Sequence, residues 1–488
     1  MTIFKGEPFR PTPDTPLYQQ LYTHLRTAIL SGELKHGLKL PSTRALADEL
    51  HVSRNTVLNA YQQLLAEGYL EGHPGSGTFV AQVLPEHLLT PSDQNSVADT
   101  PLAGSSVSQS ARTRSQRASS APAVSARSLP RPFRAEVPAL DEFPYELWTR
   151  LVVRQARRLP RTTFSYQDPA GYRPLREAIA AHVTVSRQVH CTPDQIIMVS
   201  GAQGALDLAA RMLINAGDPV WMEDPGYPGA RGAFNAAGAQ IVPVPIDQEG
   251  LMIETGMALA SQARLVYLTP SHQFPLGVTM SLPRRLALLD WAKRTGAYLI
   301  EDDYDSEYRF AGRPLAALQG LDDAERVIYI GTFSKVLFPA LRIGYLILPP
   351  HLVDDFLKFR RFVDNHLPIL EQAVLTDFIV EGHFTRHLRR MRTLYAERRS
   401  ALLKAMRDLP LDIYAPEAGI HCVGWLPASI DDQTLVRQGI AHNLDLTPLS
   451  VFCLEPLPRQ GLLLGYGGYS VADIKAGVRR LAAALRSM

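Results

Sequence analysis

Cysteine is scarce in this chain: three residues, Cys191, Cys422 and Cys453, among 488. Odd in number and far apart, they make neither a disulfide framework nor the paired spacing of a zinc cluster. A reducing compartment is expected, and no metal site. Charge of one sign is missing too. Fifty basic residues against 48 acidic leave a net +2, which points neither to a polyanion partner nor to a membrane surface. The first 85 residues hold seven basic and seven acidic side chains, so any nucleic-acid binding there must come from placement and not from bulk charge. No apolar run is long enough to span a bilayer, and residues 1–7 lack the apolar core of a signal peptide. The expected place is the cytoplasm, without a membrane partner.

What the chain does have is length and apolar material. A stretch of 488 residues with 46% hydrophobic and 20% charged content exceeds one core and suits two or more globular domains. One segment breaks this texture. From about Pro91 to Pro132, Ser, Ala, Pro and Arg dominate with no period of 2 or 3.6 residues, so ordering it would bury too little surface to offset the entropy lost. Residues 83–132 are therefore assigned to a flexible linker, with residues 12–82 and 133–488 as the domains on either side.

The N-terminal domain reads as three helices and a hairpin. Leu21, Leu25, Ala28 and Ile29 share one face of a helix over 18–30. A second opens at Ser42 or Thr43 and ends near Leu50. Ser53 is placed as N-cap of a third, which buries Val57, Tyr61, Leu64 and Leu65. Two helices joined by so tight a turn form a helix-turn-helix, with Arg54, Asn55 and Thr56 at the exposed start of the helix that enters the major groove. Residues 69–71 and 78–80, either side of a glycine-rich turn, read as a wing.

The wording of this region is specific. Leu40-Pro41-Ser42-Thr43-Arg44-Ala45-Leu46-Ala47, Val52-Ser53-Arg54-Asn55-Thr56-Val57 and Gly75-Ser76-Gly77-Thr78-Phe79-Val80 closely resemble the winged helix of the GntR family. The resemblance implies a double-stranded promoter DNA partner. It also implies phosphate or base contacts from Arg44, Ser53, Arg54 and Thr56, with Gly75, Ser76 and Gly77 near the minor groove.

Beyond residue 133, short apolar strands alternate with helices, the pattern of an α/β fold with a mostly parallel sheet. Strand-like runs fall at 196–199, 219–222, 265–268, 297–300 and 327–330. Ligands of open α/β sheets collect beyond the carboxyl ends of the strands, so the residues after each run matter most. After the first comes Ser200-Gly201-Ala202-Gln203-Gly204, a small-residue turn opening a helix to about Leu213, suited to a phosphate. After the second, Glu223-Asp224-Pro225-Gly226-Tyr227 offers an aromatic platform. After the fourth lies Glu301-Asp302-Asp303-Tyr304-Asp305, which taken alone is a solvated acidic loop. After the fifth comes Gly331-Thr332-Phe333-Ser334-Lys335, with Arg342 seven residues on.

An amine, a carboxylate, an aromatic face and phosphate donors are together what a pyridine-aldehyde phosphate requires. Lys335, Asp302, Tyr227 and the set Ala202, Gln203, Thr332, Ser334 and Arg342 supply them in turn. With residues 269–277 and 301–309, these words resemble the fold-type I aminotransferases that use pyridoxal 5'-phosphate (PLP). Fused to a GntR winged helix, the chain resembles the MocR/GabR subfamily of bacterial transcription regulators. That resemblance implies a Schiff base between Lys335 and PLP, Asp302 on the ring nitrogen, Tyr304 near the ring hydroxyl and Tyr227 stacked on the ring. Arg342, Ser334 and Thr332 would hold the phosphate. Tyr166 would reach the phosphate of the neighbouring subunit in a homodimer, arranged head-to-tail.

Two departures bear on function. Aminotransferases carry Asn-Pro-x-Gly where this chain has Phe274-Pro275-Leu276-Gly277, so the amide that tunes the ring hydroxyl is missing. The arginine that binds a substrate carboxylate is not evident either, and Arg459 is the nearest candidate for an effector contact. Two readings follow: a regulator that senses PLP, an amine or an amino acid through Lys335, or a working aminotransferase with an accessory DNA-binding domain. The complete winged helix and the missing asparagine favour the first.

Overall fold

The computed structural model describes residues 9, 15–73, 75–82, 131–310 and 316–487. Of the assigned linker, 83–130 lie outside the described residues. Arg131 and Pro132 do not behave as linker: the Arg131 amide donates to the Asp445 carboxylate and the Asp445 amide to the Pro132 carbonyl. The chain divides into two compact units, described separately.

In the N-terminal unit, α1 (Leu17–Leu30) buries Leu21, Leu25, Ala28 and Ile29, the face its spacing marks out. Helix α2 (Thr43–Leu50) starts at Ser42, whose hydroxyl accepts from the Ala45 amide. Helix α3 (Arg54–Ala66) starts at Ser53, whose hydroxyl accepts from the Thr56 amide at 3.1 Å. Each cap satisfies an amide that the first turn leaves without a partner. His51, between α2 and α3, takes a left-handed conformation that lets the chain turn back after only three residues. Helix α3 buries Val57, Ala60, Tyr61 and Leu64. Leu65 was expected inside but stands 38% exposed, because the 57–61–64 spacing turns the next position to the flank. Strands β1 (Leu70–His73) and β2 (Gly77–Val80) pair antiparallel, and positive φ at Gly75 and Gly77 lets the tip reverse.

The C-terminal unit is organised by an eight-stranded sheet: β3 (Ile196–Val199), β4 (Pro219–Asp224), β5 (Gln240–Asp247), β6 (Gly250–Leu251), β7 (Leu265–Leu268), β8 (Tyr298–Asp303), β9 (Val327–Thr332) and β10 (Gly344–Ile347). Its order is β3-β10-β9-β8-β7-β4-β5-β6. Pairings among β5, β4, β7, β8 and β9 are parallel, and β10 runs antiparallel to both its neighbours. The carboxyl ends of β3, β4, β7, β8 and β9 therefore meet on one edge together with the start of β10. Side chains alternate between two apolar layers. Val220, Met222 and Leu265 pack with the helices Gly201–Leu213 and Pro228–Ala237, whereas Trp221 and Val266 pack with the helix Leu282–Thr295. A second, antiparallel sheet joins β11 (Asp412–Tyr414), β12 (His421–Trp425), β13 (Thr447–Pro448) and β14 (Gly461–Gly465) in the order β11-β12-β14-β13.

Candidate functional site

The acidic run on β8 is not a solvated loop. Glu301, Asp302, Asp303 and Asp305 are all buried, and each has its own partner. Glu301 accepts from the Leu318 and Gln319 amides. Asp303 binds the buried Arg187 guanidinium at 2.7 Å and the Tyr329 hydroxyl. Asp305 faces His272. Asp302 differs: Oδ2 accepts from the Tyr267 hydroxyl at 2.9 Å, while Oδ1 is buried with no partner among the described residues. Burial pushes the Asp302 carboxyl up to about 7, against the Tyr267 hydrogen bond that pulls it down. A buried carboxylate held this way is short of a cation.

Asp302 opens onto a cleft lined by Glu136, Ala202, Gln203, Tyr227, Tyr267, Thr269, Phe274, Asp302, Tyr304, Thr332, Ser334, Lys335, Pro339 and Arg342. Lys335 enters it from the loop after β9. Its Nζ donates to the Glu136 carbonyl at 3.2 Å and lies 3.5 Å from the Glu136 carboxylate. The backbone beneath is held by the Tyr308 hydroxyl and His387, both donating to the Val336 carbonyl.

At one end of the cleft the donors gather. The helix Gly201–Leu213 points its amino terminus there, and Arg342, just before β10, donates from Nη2 to the Ser200 carbonyl at 3.1 Å. A Cβ at Gly201 would sit 3.2 Å from that Nη2, so glycine is what lets the guanidinium close on the turn. The Ser334 hydroxyl is buried with no partner among the described residues, and the Ser334 amide donates to Thr332 Oγ1. Helix dipole, guanidinium and an unsatisfied hydroxyl together form an anion cradle. The Gln203 side chain turns away to the Gly229 carbonyl.

The residues assigned to PLP thus come together in one cleft, apart from Tyr166, which is 88% exposed and outside the lining. Arg459 is not brought there. It stands at the Trp425 end of the β12–β14 pair, bonded to Asp412 at 2.7 Å and lying over the Trp425 ring, whereas the His421 end packs against the cleft's Phe274. There it forms a solvent-exposed ion pair, outside the cleft lining. The lining also holds Glu136, Tyr267, Thr269 and Pro339, to which the sequence assigns no role in the site. Alternation along β7 marks Tyr267 as sharing a face with Leu265, but Glu136 lies in irregular backbone at φ 67° and carries no sequence signal.

In the N-terminal unit Arg44, Ser53 and Arg54 are exposed at the starts of α2 and α3, and Gly75, Ser76 and Gly77 are exposed at the wing tip. Thr56 is half-buried, its hydroxyl 2.8 Å from that of Ser53.

The family model for gntR-type bacterial regulatory proteins matches residues 17–80, and that for class I and II aminotransferases matches 142–457. The chain is 42% identical to the probable rhizopine catabolism regulatory protein MocR of Rhizobium meliloti, across 97% of this chain and 95% of that one. The chain belongs to the MocR subfamily of GntR-type transcription regulators. Another member, the regulator TauR of Rhodobacter capsulatus, is 32% identical across 96% of both chains. The aminotransferase-like part of this MocR-type chain superposes on the α-aminoadipate aminotransferase LysN of Thermus thermophilus, solved with N-(5'-phosphopyridoxyl)-L-leucine. That match has a TM-score of 0.68 and 30% identity, covering 73% of this chain and 92% of LysN. The regulator therefore combines a winged helix with a fold-type I aminotransferase fold. Among its described residues no helix is long and apolar enough to cross a membrane.

Proposed function

We propose that this regulator holds PLP in the β-edge cleft and senses PLP itself, or an amine or amino acid, through Lys335, altering how its winged helices engage promoter DNA in the bacterial cytoplasm. The observation that carries the reading is the orphaned Oδ1 of buried Asp302, facing the same cleft as the Lys335 amine and the Arg342–Ser334 cradle. A protonated ring nitrogen is the cation that Asp302 lacks, and a phosphate matches the donors at the cradle. When bound, PLP supplies an aldehyde that joins reversibly to primary amines.

This chain's residues do the rest. Lys335 would hold the group covalently through Nζ, leaving its contacts with Glu136. Asp302 would keep the ring nitrogen protonated, and Tyr267, donating to Oδ2, would leave Oδ1 for that contact. Tyr227 would cover one face of the ring, its own ring set edge-on to Phe274 at 5.8 Å. Thr332, Ser334, Arg342 and the amides near Ala202 and Gln203 would bind the phosphate. Tyr304 would meet the ring hydroxyl. The exposed Tyr166 suits a contact with a second copy in a homodimer, arranged head-to-tail. Arg44, Ser53, Arg54, Thr56 and the wing would meet DNA, with residues 12–82, 83–130 and 131–488 as DNA-binding domain, linker and effector domain. A ligand that binds two arrangements unequally shifts them by its difference in affinity, typically ~1–3 kcal/mol.

The test is a gel-shift series on DNA upstream of the chain's own coding region, with and without PLP and candidate amines. A sequence-specific shift that PLP or an amine modulates is expected. No such shift under any condition refutes the regulator reading, and rapid multiple turnover of an amino acid with a keto acid favours the aminotransferase. Lys335→Ala should abolish the visible absorbance of bound cofactor, and its persistence would overturn the lysine assignment.

A further inference from the structure

Phe274 takes the place of the asparagine amide that tunes the cofactor's ring hydroxyl in aminotransferases, and it brings only a ring. That ring is buried edge-on against Tyr304 and Phe452, with no hydrogen-bonding group to replace the amide. Behind Tyr304, however, lies a polar pair that the cofactor contacts leave unused. His272 is 2% exposed, and its Nδ1 lies 2.9 Å from the Tyr304 hydroxyl and 2.9 and 3.1 Å from the two Asp305 oxygens. The imidazole stacks on the Tyr304 ring at an interplanar angle of 28°. The space is closely fitted, since a Cβ at Gly419 would come within 2.2 Å of His272 Cε1 and 2.9 Å of Asp305 Oδ2.

The tautomer follows from the contacts. His272 Nε2 is buried without a partner among the described residues, so a proton placed there would be an orphaned donor, and a bare Nδ1 would face two carboxylate oxygens. The proton therefore belongs on Nδ1, donated to Asp305 and shared with the Tyr304 oxygen. Tyr304 then accepts at its oxygen, and its own proton is left for the cleft. A hydroxyl that accepts one hydrogen bond donates the next more strongly.

We propose that His272 and Asp305 are positioning residues that aim the Tyr304 proton into the cleft as a donor to the ring hydroxyl, replacing the amide lost at Phe274. The proposal rests on the reading that PLP is held through Lys335 with its ring hydroxyl at Tyr304. The groups facing Tyr304 are Asp305, Asp302, Glu136 and Glu223, and those facing His272 include Asp305 and His421. His421, 5.1 Å from His272 ring to ring, is held toward its neutral form by burial. Asp305 is the carboxylate within hydrogen-bond reach of the imidazole.

The test is a pH titration of the visible absorbance of the full-length, PLP-loaded protein. A donor to the ring oxygen favours its anion without the shared proton, so losing the donor raises the midpoint. Tyr304→Phe should raise it by about one pH unit, a tenfold change in proton affinity. His272→Phe should raise it comparably, yet add nothing in the Tyr304→Phe background. His272→Asn, whose amide can donate from near the Nδ1 position, should return it toward wild type. Asp305→Asn serves if His272→Phe does not fold, with the same shift and the same dependence on Tyr304. An unchanged midpoint in the His272 and Asp305 variants, or a shift that adds in full to that of Tyr304→Phe, overturns the proposal and leaves the Lys335 reading standing. Absorbance that survives Lys335→Ala overturns both.

Discussion

Asp302→Asn should stabilise the cofactor-free protein at pH 8 and destabilise it at pH 4.5. Burial raises the folded carboxyl from its ordinary 3.8 to about 7. Between those values the unfolded chain has released its proton and the folded chain retains it, so folding stability falls as pH rises through this window. At ~1.36 kcal/mol per pH unit the loss is complete above pH 7 and amounts to about 4 kcal/mol. Asparagine carries no charge to bury, but its amide nitrogen takes the place of the orphaned Oδ1 and lacks an acceptor, which costs ~1–2 kcal/mol. The net gain at pH 8 is about 2 kcal/mol, and at pH 4.5 only the cost remains. Urea midpoints followed by tryptophan fluorescence read this out cleanly, because all four tryptophans, Trp148, Trp221, Trp291 and Trp425, lie in the C-terminal unit. Saturating PLP should reverse the order at pH 8, since a ring cation stabilises the carboxylate and not the amide. A variant no more stable than wild type at pH 8 without PLP, or one that gains as much from PLP, refutes the electrostatic account of Asp302.

Gly201→Ala places a Cβ against the Arg342 guanidinium at a residue whose φ is 69°. It should cost ~1 kcal/mol of stability and weaken PLP while leaving pyridoxal, which has no phosphate, unaffected. Equal losses for both ligands in calorimetry would count against the cradle. Ser53→Ala removes the cap of α3 and should destabilise the N-terminal unit by ~1 kcal/mol in thermal melts followed by circular dichroism; an unmoved transition would mean the cap is energetically idle. Arg54→Ala should weaken operator binding and reduce its salt dependence by about one counterion while the cofactor absorbance stays intact. Unchanged affinity would place α3 outside the groove.

Local signals in this chain are easy to read. Ser42 and Ser53 announce their helices, the helix after β3 ends at Leu213 as its spacing indicates, and β7 coincides with its apolar run at 265–268. What escapes reading is set by distant partners. The burial of the 301–305 acids depends on Arg187, His272 and the amides of Leu318 and Gln319, none of which is near in sequence. Arg459 is adjacent to the apolar run of β14 but at the wrong end of the strand, and only the pairing register reveals which end meets the cleft. Glu136 reaches Lys335 across 199 residues from backbone without period.

Strand β10 has a further consequence. Because it runs against its neighbours, the excursion that carries Ser334, Lys335 and Arg342 leaves from β9 and returns directly into β10, and both strands are paired on both sides. The loop is thus tethered at both ends to the best-protected part of the sheet, where amide hydrogens should exchange only on global opening. With the loop so anchored, a signal that begins at Lys335 starts from the side chain its amine would let go, Glu136.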